Sequence, residues 1–249
     1  MNYAVSIAGS DSSAGAGLQT DLKTMNACGV WGMSVAAALT AQNGTFIKEQ
    51  INALLAEFPI SCWKTGMLNT AETVHAVAQA LPKDANLVVD PVIVSTSGSI
   101  LLDSEGEKAL CRDLLPSAVV VTPNIPEAEY LSGITIADKT SAENAGEWFL
   151  AQGVQYVLIK GGHIKEWNGA DYLISSGGTE CIEGRRLPFS DIHGTGCCLS
   201  SAIASYIAKG MQVKDAVSAA KKFVTAAIEH SVIYPSGRRT VNPLWMQFE

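Results

Sequence analysis

The chain has 249 residues, 47% of them hydrophobic and only 16% charged, with a formal net charge of −7. That composition excludes a disordered protein, and an acidic chain with dispersed Lys and Arg offers no basic footprint for nucleic acid. Met1-Asn2-Tyr3-Ala4-Val5 carries no basic leader, no apolar run reaches membrane-spanning length and no Pro/Gly/Ser linker divides the chain, so a single cytoplasmic domain over residues 1–249 is expected, with no membrane partner.

Strand-like and helix-like patterns alternate along the chain. Tyr3 to Ala8 reads as a buried strand running into Gly9-Ser10-Asp11-Ser12-Ser13-Ala14-Gly15-Ala16-Gly17, a loop whose glycines let a ligand approach the backbone, before a helix from Leu18 to Ala27. Met33 to Thr40 is a second apolar segment, with Gln42-Asn43-Gly44 as a turn after it. A helix from Glu49 to Glu57 follows, then a strand from Trp63 to Met67 and a helix opened by the capping-box-like Asn69-Thr70-Ala71-Glu72. Leu87-Val88-Val89 is a short buried strand ending on Asp90-Pro91. This places a carboxylate at the C-terminal end of a strand, where open α/β sheets bind ligands.

In the second half, Val119 to Val121 leads to Thr122-Pro123-Asn124-Ile125-Pro126-Glu127 and a short helix. Thr140-Ser141-Ala142-Glu143 opens another helix, and Tyr156 to Ile159 leads to Lys160-Gly161-Gly162-His163. Tyr172 to Ile174 and Cys181-Ile182 around Gly177-Gly178 predict an edge hairpin. Two helices close the pattern, one from the His193-Gly194-Thr195-Gly196-Cys197 turn to Ala208 and one from Ala216 to Ile228. The alternation predicts an α/β fold, a mainly parallel central sheet with helices on both faces.

The turn before the Ala208 helix carries the strongest chemical signal. Two glycines flank a threonine at a helix start, so free N–H groups and the helix dipole can face an anion, and Cys197 in the same turn lies in a field that favours thiolate. That makes Cys197 a candidate base or nucleophile, against the alternative of a small packing residue. Cys198, one position on, points about 100° away and reads as packing. The six cysteines, at 28, 62, 111, 181, 197 and 198, show no metal-ligand spacing and read as reduced thiols. His163 and His193 read as hydrogen-bonding supports of their loops.

Taken together, residues 8–24, Lys64-Thr65-Gly66-Met67-Leu68, Asp90-Pro91-Val92, Thr122-Pro123-Asn124, Lys160-Gly161-Gly162-His163 and His193 to Cys197 match one family in order and spacing. The chain resembles the hydroxymethylpyrimidine and phosphomethylpyrimidine kinases, the thiamine-biosynthesis branch of the ribokinase-like superfamily. The resemblance implies transfer of the ATP γ-phosphoryl group to the hydroxymethyl of 4-amino-5-hydroxymethyl-2-methylpyrimidine, then to its monophosphate, with Mg2+ required and a homodimer as the assembly. It implies Cys197 as the base, at a position where sugar kinases of the superfamily carry Asp, with Gly194, Thr195 and Gly196 as the anion turn. Gly9, Asp21, Gln42, Met67 and Val92 fall on substrate contacts, with Asp21 and Gln42 reading the aminopyrimidine edge. Lys160 falls on the ATP phosphates, Asn124 on waters or a phosphate, and Asp90 and Glu127 on Mg2+ held mostly through water.

Two positions depart from the family pattern: Thr96 stands where many relatives have Lys, and Ala14 where Gly is usual. Losing a lysine from a phosphate-side loop bears on the second phosphorylation more than on the first. Two alternatives stay open, a pyridoxal kinase of the same Cys-containing branch, which Gln42 and Met67 disfavour, and a catalytically idle pyrimidine-binding protein, which the joint presence of Cys197, Asp90 and Lys160 disfavours.

Overall fold

The computed structural model describes residues 1–11, 13–38, 44–94, 100–189 and 192–247. In chain order the elements are β1 (Tyr3–Gly9), α1 (Gly17–Ala27), β2 (Trp31–Ala38), α2 (Gly44–Glu57), β3 (Cys62–Thr65), α3 (Ala71–Ala80), β4 (Leu87–Val89), α4 (Ser104–Ala109) and β5 (Ala118–Val121). The second half continues with α5 (Ile125–Ser132), α6 (Lys139–Ala151), β6 (Tyr156–Ile159), β7 (Asp171–Ser175), β8 (Gly178–Ile182), α7 (Thr195–Ala208), α8 (Val213–Glu229), β9 (Val232–Ile233) and β10 (Arg239–Thr240).

Strands β1 to β8 form one sheet in the order β2-β1-β3-β4-β5-β6-β7-β8. The first six run parallel, while β7 and β8 turn back antiparallel at one edge as the hairpin that Gly177-Gly178 predicts. Successive strand residues point to opposite faces, and each face has its own core. Val5, Ile7, Trp63, Leu87, Val89 and Val121 pack beneath α2 to α6. Ala4, Cys62, Val88, Val120 and Leu158 pack beneath α1, α7 and α8. The second set is smaller, which lets the Ala- and Ser-rich α7 lie close over the middle of the sheet and brings its N-terminus to the C-terminal ends of the strands.

Several boundaries differ from the sequence reading, each for a local reason. Helix α2 begins at Gly44 rather than Glu49, so Gly44 belongs to a helix and not to a turn. Strand β3 stops at Thr65, leaving Gly66 and Met67 beyond it, although Gly66 N–H still bonds to Ile7 O at 3.0 Å; the Lys64 ammonium fills the space a side chain at Gly66 would need. Thr70 caps α3, its hydroxyl accepting from Thr73 N–H, so the helix begins one position later than a cap at Asn69 would set it. Helix α6 starts at Lys139, ahead of Thr140, because Asp138 is the cap and exchanges hydrogen bonds with Ser141 in a capping box. Helix α8 starts three residues before Ala216. The helical stretch from Ser104 to Ser117, with a π turn in its middle, and the small β9–β10 ribbon go unread in the sequence pattern.

Candidate active site

Gly9, Met67, Val92, Asp90, Asn124 and Lys160 all lie at or just beyond the C-terminal ends of parallel strands, on one edge of the sheet. Helix α7 points its N-terminus at the same edge. Gly194 caps it in the left-handed conformation (φ 84°), which glycine alone adopts without strain, and contributes no side chain to the cap. The N–H groups of Thr195, Gly196 and Cys197 therefore have no partner within the helix. A side chain at Gly196 would stand 3.6 Å from both Asp90 Oδ2 and Lys160 Nζ, so the helix start abuts those two residues. A helix start of this geometry can face an anion, the role that the spacing predicts for it.

Asp90 is the hub of the charged groups. Its Oδ1 accepts from Thr122 Oγ1 (3.2 Å) and Lys160 Nζ (3.2 Å), and its Oδ2 accepts from Ser200 Oγ (3.2 Å). Burial works against the Asp90 charge, but Lys160, Lys64 and the Ser200 hydroxyl outweigh it and hold the carboxyl below its ordinary range. Glu127 Oε2 lies 3.9 Å from Lys160 Nζ and accepts from Asn124 N–H, while Asn124 Oδ1 accepts from Glu127 N–H, a capping box that starts α5. Burial and the nearby Asp90 charge push Glu127 up to about 7 in spite of Lys160. Asn124 thus spends its carbonyl on the helix cap, leaving only its amide N–H groups for a ligand.

Glu127, driven toward its neutral form by burial and by the Asp90 charge, makes with Asp90 a donor pair that a divalent cation would relieve. Mg2+, which keeps several waters and takes one or two carboxylates, fits Asp90 and Glu127. Among the described residues no group of three or more His, Cys, Asp and Glu gathers, so a cage made wholly of protein ligands is not what this edge provides.

Cys197 occupies the third position of α7, half-buried, with Gly17 N–H directed at its sulfur. Gly17 itself (φ 58°) packs so tightly on Gly9 that no side chain fits, which brings Gly9, Gly17 and Cys197 together. The expectation of a thiolate at this helix start is corrected: burial, with the Asp21 and Asp90 charges adding to it, pushes the thiol up to about 11 against the pull of Lys64. Cys198 is fully buried and its sulfur accepts from Thr24 Oγ1 at 3.5 Å, the packing role read from its position.

Asp21 is placed differently from its expected role. It is fully buried beneath the loop, with Oδ2 accepting from Ser6 Oγ (2.5 Å) and Lys64 Nζ (2.8 Å) and Oδ1 from Ser201 Oγ (2.8 Å). With both oxygens engaged it has no free face for an aminopyrimidine edge. Lys64 and the two α7 serines are the functional neighbours the sequence reading missed; Ser200 and Ser201, three and four residues after Cys197 on the same helix face, were the available signal. Met67 and Val92 are half-buried after β3 and β4. His193 Nε2 stands 3.0 Å from Asp11 Oδ2, the loop support expected of it. Gln42 and Thr96 lie outside the described residues, as does the His163 side chain.

Residues 11–242 match the family model described as phosphomethylpyrimidine kinase. Among curated proteins, the chain is 41% identical over 238 residues to a hydroxymethylpyrimidine/phosphomethylpyrimidine kinase of Rhizobium meliloti, covering 90% of each chain. It is 40% identical to the thiamine biosynthesis bifunctional protein ThiED of Geobacter sulfurreducens, matching 94% of this chain but spanning only half of that longer protein. Among solved structures, the ADP complex of Bacillus subtilis pyridoxal kinase superposes with a TM-score of 0.90 at 33% identity, covering all of both chains.

Proposed function

The chain belongs to the phosphomethylpyrimidine kinase family, and on that premise we propose that it transfers the γ-phosphoryl group of ATP to the hydroxymethyl of 4-amino-5-hydroxymethyl-2-methylpyrimidine, and then to the monophosphate, in thiamine biosynthesis. The observation that carries this reading is the uncapped start of α7 set against Asp90 and Lys160 with Cys197 in its first turn. Phosphoryl transfer asks for an in-line hydroxyl, donors aimed at the charge on the transferring group and a proton acceptor. The N–H groups of Thr195, Gly196 and Cys197 supply the donors. Lys160 balances the nucleotide phosphates, and Asn124 offers its amide N–H groups beside them.

Asp90 and Glu127 would hold Mg2+, and the ion would supply charge neutralisation at the phosphates when bound. Gly9, Met67 and Val92 line the acceptor side, with Gln42 added from the family resemblance. During transfer the bond from the acceptor oxygen to the γ-phosphorus forms, the bond from that phosphorus to the β-bridging oxygen breaks, and the hydroxyl proton passes to the Cys197 sulfur. Cys197 has to enter as thiolate, so Lys64 and the helix start work against the burial that protonates it. A sulfur with high proton affinity then favours uptake from the alcohol.

Composition and the family resemblance support a homodimer in the cytoplasm; no described helix is long and apolar enough to cross a membrane. The deciding experiment is ATP consumption with hydroxymethylpyrimidine, its monophosphate, pyridoxal and ribose side by side. Hydroxymethylpyrimidine should give the largest kcat/KM among the alcohols. A larger value for pyridoxal, the reading favoured by the similarity to the Bacillus subtilis enzyme, would replace the substrate and keep the reaction.

A further inference from the structure

The segment around the β9–β10 ribbon joins the two glycine-bearing loops of the site. Thr240, at the end of β10 and buried, places its single hydroxyl proton between Gly15 O (3.1 Å) and His193 O (3.3 Å). Backbone bonds reinforce the second contact, from His193 N–H to Arg239 O and from Val241 N–H to His193 O, both 3.0 Å. Tyr234 donates its hydroxyl to Ser13 O at 2.9 Å, farther along the first loop. A Cβ at Gly15 would meet His193, Thr240 and Tyr234 at 2.8 to 3.0 Å, and a Cβ at Gly194 would run into Gly15 O. The first loop and the anion turn therefore touch backbone to backbone, with Thr240 as the polar stitch at their junction.

We propose that Thr240 is a positioning residue, which fixes the anion turn at Gly194 relative to the loop ending at Gly17 and so sets the alignment of acceptor hydroxyl and transferring phosphoryl group. The proposal rests on the kinase reading above. The two loops carry the two reacting partners, and misplacement by about 1 Å can lower a rate on the order of 100-fold. A hydroxyl shared by two carbonyls, one from each loop, is a specific way to hold that distance. Valine keeps the shape and loses the proton, whereas serine keeps the proton.

The test compares wild type, Thr240→Val, Thr240→Ser and Tyr234→Phe in steady-state kinetics, with amide hydrogen exchange read over residues 13–17 and 193–197. Thr240→Val should lower kcat by about tenfold or more, with KM for ATP and acceptor changed by less than about threefold, and Thr240→Ser should restore kcat. Exchange in both loops should quicken together in Thr240→Val and not in Thr240→Ser. A kcat for Thr240→Val close to that of an active wild type would overturn the proposal, as would serine failing to rescue. If Thr240→Val does not fold, Tyr234→Phe decides by exchange, since the tie predicts faster exchange at residues 193–197 as well as at 13–17, and quickening confined to 13–17 sinks it. Wild type failing on every acceptor would remove the kinase reading, and the exchange comparison would still judge the tie between the loops.

Discussion

Ser200 and Ser201, neighbours on α7, bond to different buried carboxylates: Ser200 Oγ to Asp90 Oδ2 at 3.2 Å and Ser201 Oγ to Asp21 Oδ1 at 2.8 Å. Each carboxylate also takes one lysine, Lys160 at Asp90 and Lys64 at Asp21. The start of α7 is thereby pinned to two ion pairs, and the charges of Asp21, Lys64 and Asp90 all reach Cys197. A buried charge costs several kcal/mol unless paired and hydrogen-bonded, so removing one partner reaches the cysteine electrostatically.

Cys197 should alkylate slowly at neutral pH, more slowly than exposed Cys181, and its rate with iodoacetamide should climb about tenfold per pH unit on the way to a midpoint near 11. Removing the Asp21 charge while keeping Lys64, as in Asp21→Asn, should move the midpoint down. Lys64→Met should move it up, and the double variant should return toward wild type. Midpoints moving in the same direction for both single changes would contradict the electrostatic account. Cys197→Ala should lower kcat on the order of 100-fold, the usual range for a lost proton acceptor, and Cys198→Ala should be mild.

Glu127 carries a stability consequence with a definite sign. Its carboxyl is raised from 4.5 to about 7 in the folded protein, so its contribution is fully present below pH 4.5 and is lost as pH rises through about 7. Urea denaturation without nucleotide or Mg2+ should therefore show a fall in stability across that window, and Glu127→Gln should flatten it. Adding Mg2+ should restore part of the loss in wild type and none in the variant. A flat wild-type profile from pH 4.5 to 7 would refute the assignment.

Ala14 adopts φ 57°, the left-handed conformation that favours glycine, at the position where the resemblance leads to an expectation of glycine. Its carbonyl accepts from Lys23 Nζ at 2.9 Å, so the loop is tied down in spite of the strain. A non-glycine residue in this region costs roughly 1 kcal/mol, so Ala14→Gly should leave stability unchanged or raise it by up to about that amount, the relief offset by the greater freedom of glycine in the unfolded chain. A loss of 1 kcal/mol or more in urea denaturation would show that the methyl group packs usefully.

On the expectation that Thr96 stands where many relatives have Lys, phosphorylation of the monophosphate should be slower than that of the free alcohol, since a second anionic group beside ATP raises the demand for cations. Thr96→Lys should speed the second step and leave the first nearly unchanged. Equal rates in wild type, with no effect of the lysine, would assign that charge to another residue.

The layered fold was legible because its signals are local: short apolar runs and glycine turns recur between segments with the periods of strand and helix. Five of the six motif segments converge for the same reason, since each lies at the end of a parallel strand; the sixth, His193 to Cys197, reaches that edge as the start of α7. The capping box of Asn124 and Glu127 went unread, although the pattern Asn-x-x-Glu is present in the sequence. What stayed hidden depends on tertiary neighbours. Nothing local pairs Asp21 with Lys64, so Asp21 reads as a ligand contact when it is an anchor. A helix start alone makes Cys197 look acidic, whereas burial between two carboxylates reverses the sign. Thr240 gives no motif at all, and its place is decided by a ribbon that returns across the front of the sheet.

The separations of the buried polar contacts along the chain predict an order of folding. Asp21 meets Lys64 across 43 positions and Asp90 meets Lys160 across 70, but Ser201 reaches Asp21 only across 180. Contacts of such separation form late, after loop closure over most of the polypeptide. On the ribosome, the sheet from β1 to β6 can leave the exit tunnel while the Asp21 carboxylate is still wet, and the arrival of α7 is the step that seals it. In refolding, Cys197 should therefore lose its reactivity toward thiol reagents last, after the far-ultraviolet helical signal has largely returned.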